Sequence, residues 1–233
     1  MNELQEIQQL LSSAADAIEK RYARGSTQSG EVSPMQSADA LHKLFQVFEE
    51  VDEKKAGLSY NDGLGENALL LTAELVDWAE HLELPETKSD LESVAVGIAL
   101  WVARHDGEIR ELEDVVNGFA ASANTTASDE ALRALFHAMK AVLEHVAPSI
   151  QADLDQDNPG RPWRVLNFNF AIVATRTQDE KLMRYAFDAL SRNLPHDAPT
   201  FFEEGLKQSG KSVYGTVVKS LMQEYFARWA VRH

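Results

Sequence analysis

The chain has 233 residues, 44% of them hydrophobic and 25% charged, the balance of a folded globular protein rather than of a disordered segment. With 22 Lys+Arg against 37 Asp+Glu its formal net charge is −15, a field that repels a phosphate backbone and sets nucleic acid aside as a partner. Cysteine is absent, which removes disulfides and thiolate metal sites and leads to the expectation of a cytoplasmic protein.

No apolar run reaches the ~20 residues of a membrane span. The most apolar stretch, Ser93 to Ala103, is bounded by Glu92 and Arg104 and reads as a buried helix, so no membrane association is expected. The first residues, Met1 to Glu6, are acidic and show no apolar signal core, and a cleaved signal peptide is not expected.

In chain order, Leu4, Ile7, Leu11, Ala14, Ile18 and Tyr22 recur at three- and four-residue steps. They predict an amphipathic helix within residues 1–24. Residues 25–36 are small and polar and read as a flexible linker. Residues 37–233 then read as an all-α helical domain. Its first helix, about 37–54, gathers Leu41, Leu44, Phe45, Phe48 and Val51 on one face, and Ser59 to Gly65 reads as a turn. Helices at about 66–82 and 88–104 follow, the second opened by a capping-box signal at Thr87 and Asp90. Further helices are expected at about 108–121, 129–147 (stopped by Pro148), 163–176, 179–192, 199–208 and 212–231. The spacing Thr177 to Glu180 is a second capping-box signal, and Asp197 ahead of Pro199 fits a helix start. Only Val165 to Val173 also alternates as a strand would. It lacks a partner of similar pattern, and helix is the reading adopted.

Ile98 to Arg104 is echoed 72 positions on (98 to 170) by Phe170 to Arg176. That is about twice the ~34-residue period of helical-hairpin arrays, although the signature positions of such arrays do not align. The expected architecture is therefore a set of antiparallel helical hairpins stacked as a repeat-like array, with a closed multi-helix bundle as the alternative.

Motifs that carry chemistry are few. His137, Glu144 and His145 can share a helix face, but a metal would need a further ligand from another helix. Asp39 and His42 form the sole carboxylate-x-x-His spacing where a di-iron bundle needs two instances. Asp153 to Gly160 begins like a calcium loop, yet Asn158 stands where the loop glycine belongs and Arg164 where the bidentate glutamate belongs. Gly63 and Gly65 lack the strand and third glycine of a phosphate cradle. The C-terminal cations Lys207, Lys211, Lys219, Arg228 and Arg232 are diluted by Glu203, Glu204 and Glu224, as on a solvated helix face. No cofactor and no metal is expected, and the lack of a nucleophile motif points away from an enzyme.

The remaining candidate is Arg161 to Asn169. Asparagine is a poor helix former, and two of them between aromatic residues break an otherwise apolar pattern. Trp163, Arg164, Asn167 and Asn169 are the candidate ligand- or partner-binding residues, with a polar clamp between helices as the competing account. Three functions fit: a protein-protein interaction module with an acidic surface and a partner bearing a basic face; a helical enzyme or small-molecule binder built around Trp163, Arg164 and Asn167; and a structural homo-oligomer joined through the N-terminal helix. The first is preferred, on charge and on the lack of catalytic motifs.

Overall fold

Apolar residues three and four apart fall on one side of a 3.6-residue turn, and burying that side is what stabilises most protein helices. The computed structural model describes residues 3–25, 33–54, 62–209 and 215–230. Among them it shows eleven helices and no strand, so the all-α expectation holds. By its contacts the chain divides into two compact units. One comprises the described residues up to Ala121 together with Glu144–Ala147; the other comprises Ser122–Leu143 and the described residues from Pro148 onward.

In the first unit α1 (Glu3–Gly25), α2 (Pro34–Lys54), α3 (Asp62–His81) and α4 (Pro85–Arg104) share one core. Leu4, Ile7, Leu11, Ala14 and Ile18 of α1 are buried, and α1 packs on both α2 and α4. Trp101 of α4 is fully buried with its ring stacked on Phe48 at 3.9 Å. Gly63 and Gly65, read as part of a turn, belong instead to the start of α3. A Cβ at Gly65 would lie 2.2 Å from Val102 Cγ2 of α4, so the absence of a side chain permits this close helix approach. Residues 59–61, the rest of that expected turn, lie outside the described residues. The capping box at Thr87 does not form. Leu84 precedes the helix without a side-chain cap, and Pro85 opens α4 at a position where its missing N–H costs nothing.

The helix expected at 108–121 begins later, as α5 (Glu113–Thr125). Ile109 is extended: its N–H donates to the His145 carbonyl at 2.8 Å, and its carbonyl accepts from Ala147 N–H at 2.9 Å. Ile109 and Leu112 are both buried, so their spacing mimics a helical stripe where the backbone in fact pairs with a neighbouring segment. That pairing also ends the next helix, α6 (Asp129–His145), just before Val146.

The second unit holds most of α6, the single turn α7 (Pro148–Gln151), α8 (Pro162–Thr177), α9 (Glu180–Asn193), α10 (Ala198–Ser209) and α11 (Thr216–Ala230). Residues 165–173 are helical within α8, because Leu166, Phe170, Ala171, Val173 and Ala174 are buried at helical spacing. Gln178, at φ 52°, ends α8 in the left-handed conformation. The cap of α9 comes from Asp179 rather than Thr177: its carboxylate accepts from Lys181 N–H at 2.9 Å and Leu182 N–H at 3.3 Å. Thr177 donates instead to the Ala174 carbonyl at 2.6 Å. Phe187 of α9, Phe202 of α10 and Tyr225 of α11 meet edge to face or tilted at 5.2 Å. They tie the three helices into one aromatic core, a geometry that adds ~0.5–1.5 kcal/mol per pair to area burial.

Candidate functional site

The loop before α8 is organised around a guanidinium. Arg161 is only 5% exposed. Its Nη2 donates to Asp153 Oδ2 at 2.9 Å and to Asp197 Oδ2 at 2.6 Å, its Nε to the other Asp153 oxygen, and its Nη1 to the Asn158 carbonyl at 3.1 Å. The stretch that begins like a calcium loop is therefore folded around an internal cation, and the sequence's departures from calcium ligation have a structural account. Hydrogen bonds from Asp153 and then Asp197, working against burial, raise the pKa of Arg161 further above its already high ordinary value.

Asp197 joins this centre to the candidate residues. Arg164 Nε donates to Asp197 Oδ1 at 2.7 Å and its Nη1 to the Pro159 carbonyl at 2.9 Å, while its guanidinium lies 4.1 Å from the centre of the Phe168 ring. Burial works to raise the Asp197 pKa, but the hydrogen bonds from Arg164 and Arg161 outweigh it and hold the carboxyl below its ordinary value.

Asn167 is 1% exposed. Its amide donates to the Trp163 carbonyl at 2.9 Å, and its carbonyl accepts from Asn193 Nδ2 of α9 at 2.8 Å. Those contacts make it a clamp between α8 and α9, facing away from solvent. Trp163 is 3% exposed, and its indole N–H is buried without a partner among the described residues. Asn169 is half-buried on another side of α8. Of the four candidate residues, Arg164 alone lines the open space described next.

That space is a groove of about 360 Å³ between α8, α10 and α11. Arg164, Phe168, Ile172 and Thr175 line it from α8, and Phe201, Glu204, Gly205 and Gln208 from α10. Val218 and Met222 line it from α11. Arg164 meets Asp197 at the start of α10, and Phe168 meets Phe201 at 5.1 Å, so α8 and α10 run side by side in the same direction. Helix α11 returns the opposite way, since Phe202 faces Tyr225 and Gly205 faces Met222. At Gly205 a Cβ would lie 2.7 Å from Met222 Sδ; the missing side chain keeps the groove floor low. Ile172, at 43% exposure, is an apolar side chain left open to water. Residues i, i+4, i+8 and i+11 of α8 span ~16 Å at 1.5 Å per residue, so the groove is elongated.

The first unit holds other polar clusters. Asp52 Oδ1 accepts from Trp101 Nε1 at 3.1 Å and from His105 Nε2 at 2.7 Å. A cleft of about 220 Å³ among α3, α4 and α5 carries Asp77, Glu80, Lys88 and Asp114. Burial, reinforced by Glu92, Glu113 and Asp77, pushes the Asp114 carboxyl up to about 6. No group of three or more potential ligands is placed to hold a metal among the described residues. His145 faces Asp106 at 3.6 Å. No helix of the described residues is long and apolar enough to cross a membrane.

The groove was invisible to pattern reading, because Phe168, Ile172, Phe201 and Met222 each fit an ordinary amphipathic stripe. The one available signal was excess: α8 offers apolar residues all round, more than a single buried face requires. Comparison with protein-family models, with curated proteins and with solved structures finds no match to the chain.

Proposed function

We propose that the chain is a non-catalytic protein-interaction module, and that the groove of α8, α10 and α11 receives an amphipathic helix of a partner protein flanked by basic residues. The observation that carries this reading is the pair of helical stripes lying side by side along an elongated, mostly apolar groove. Such a shape suits a helix with anchors at i, i+3/i+4 and i+7. A basic flank complements Glu204 on the groove and the net charge of −15. Two of the hydroxyls that line the groove are committed to the helix backbone, Thr175 to the Ala171 carbonyl and Ser209 to the Leu206 carbonyl, each at 2.8 Å. Within each unit consecutive helices pair closely, α3 with α4 in the first and α8 with α9 and α10 with α11 in the second, the kind of element from which helical interaction modules are built.

The test uses a fluorescein-labelled peptide of about 12 residues, a helix just long enough for the groove, with leucines at i, i+4 and i+7 and lysines between them. Fluorescence anisotropy is expected to show saturable binding to the wild type and a loss of tenfold or more with Ile172→Asp, a substitution at an exposed position that leaves the core intact. Failure of the wild type to bind, or equal binding by the variant, overturns the reading.

A further inference from the structure

The groove has two unlike ends. At one, Arg164 lies beside the starts of both α8 and α10. At the other, Thr175, Gln208, Ser209 and Val218 are uncharged. We infer that the groove is directional and that Arg164 receives the C-terminal carboxylate of the bound helix; this rests on the helix-binding reading above.

Hydrogen-bond accounting carries the inference. A guanidinium has five N–H donors in a planar fork and no acceptor. Arg164 uses Nε for Asp197 and one Nη1 hydrogen for the Pro159 carbonyl. Nη2 makes no hydrogen bond among the described residues, and the residue lines the groove with its plane over Phe168. An open N–H edge is therefore held at the groove end by three fixed contacts, the arrangement that binds a carboxylate with little loss of side-chain entropy.

The local charge agrees. Arg161 and Arg164 are paired with Asp153 and Asp197. Nearest the Arg164 guanidinium are the positive ends of two helices, Pro162 opening α8 and Ala198 opening α10, with no acidic residue in the first turn of either, while α11, which returns the opposite way, brings its negative end to the same side farther along its length. Each of the two positive ends carries roughly half a charge. A bound helix that brings its C-terminus there places its own negative pole and its carboxylate against them, whereas the reverse orientation would oppose like poles. Glu204, midway along the groove, then faces the lysines on the peptide's flank.

The consequence runs against bulk electrostatics. A free carboxylate adds a negative charge to a peptide approaching a protein of charge −15, so long-range forces alone make the amidated peptide bind more tightly. Local recognition by Arg164 makes the free acid bind more tightly.

The experiment compares the 12-residue peptide as free acid and as C-terminal amide, by anisotropy, on wild type, Arg164→Gln and Ile172→Asp. The expected result is a three- to tenfold preference of the wild type for the free acid, the preference itself abolished in Arg164→Gln whatever that variant's overall affinity, and loss of both peptides with Ile172→Asp. Equal or weaker binding of the free acid to the wild type, with Ile172→Asp still defective, overturns the direction but leaves the helix-binding reading standing. An amidated peptide ending in glutamate that matches the free acid also overturns it, because a side-chain carboxylate would then suffice. Binding of neither peptide removes the reading and the inference together. A wild type that is dimeric by light scattering while Ile172→Asp is monomeric would place a second copy of the chain in the groove and likewise overturn the inference.

Discussion

Arg161 and Asp197 meet at 2.6 Å with the guanidinium almost wholly buried, and the same carboxylate reaches on to Arg164 at 2.7 Å. One side chain therefore holds the loop before α8, the start of α10 and the residue that lines the groove. Removing the Asp197 charge leaves Arg161 with Asp153 alone and Arg164 without a carboxylate, so a partly buried cluster loses its charge balance. Asp197→Asn is expected to lower stability by about 2–3 kcal/mol at pH 7, read by urea denaturation. The folded-state pKa of Asp197 is depressed below its ordinary 3.8, so its contribution is present above that value and is lost as pH falls through the folded-state value. The difference between variant and wild type should therefore shrink below pH 4. A difference that persists unchanged in acid would contradict the assignment.

The Asn167–Asn193 contact at 2.8 Å gives a second prediction. Asn167→Ala leaves the Asn193 amide without its acceptor and opens a small void, at a cost of about 2 kcal/mol. Asn193→Ala, at a half-buried site, costs less. The two effects should be strongly non-additive in a double-mutant cycle, while peptide affinity in the groove stays unchanged. Loss of peptide binding in Asn193→Ala with normal stability would return Asn167 to the binding residues.

Asp114 supplies a pH prediction of opposite sign. Its pKa is raised from 3.8 to about 6, so between those values the folded chain binds more protons than the unfolded one and stability falls as pH rises. Asp114→Asn removes the penalty. It should stabilise the protein by about 1 kcal/mol at pH 7.5, the full shift being discounted for the partly open cleft, and by nothing below pH 4. Thermal melts across that range would show it, and a destabilised variant at pH 7.5 would refute it.

The periodic pattern made the helices legible wherever a stripe of apolar residues was long, as in α1, α6 and α9. It failed at Ile109, where two buried residues at helical spacing belong to an extended segment whose partner lies far along the chain. It also misassigned the caps of α4 and α9, because a proline or a neighbouring aspartate supplied what a threonine was expected to give. The unusual asparagines near Trp163 singled out α8, the helix that also supplies Arg164 to the groove. Asn167, however, is buried in the α8–α9 contact and Asn169 does not line the groove, whereas the groove depends on how α10 and α11 close over α8, and that packing leaves no local mark in the sequence. Arg161 was likewise unreadable as the centre of its loop, since its partners Asp153 and Asp197 are 8 and 36 residues away.

Because the Arg161 guanidinium occupies the middle of the acidic loop, added calcium should leave the melting temperature unchanged, and so should a chelator. A calcium-dependent rise in melting temperature would show that an ion competes with Arg161 for Asp153.

The proposal that the groove binds a helix is tested most directly by amide chemical-shift mapping with the leucine–lysine peptide in free-acid form. The expected result is perturbation concentrated on Arg164 to Thr175, Thr200 to Ser209 and Val218 to Met222, with the rest of the described chain little changed. Shifts confined to the acidic cleft around Asp114, or spread evenly over acidic surfaces, would contradict the account and reduce the peptide's binding to charge attraction alone.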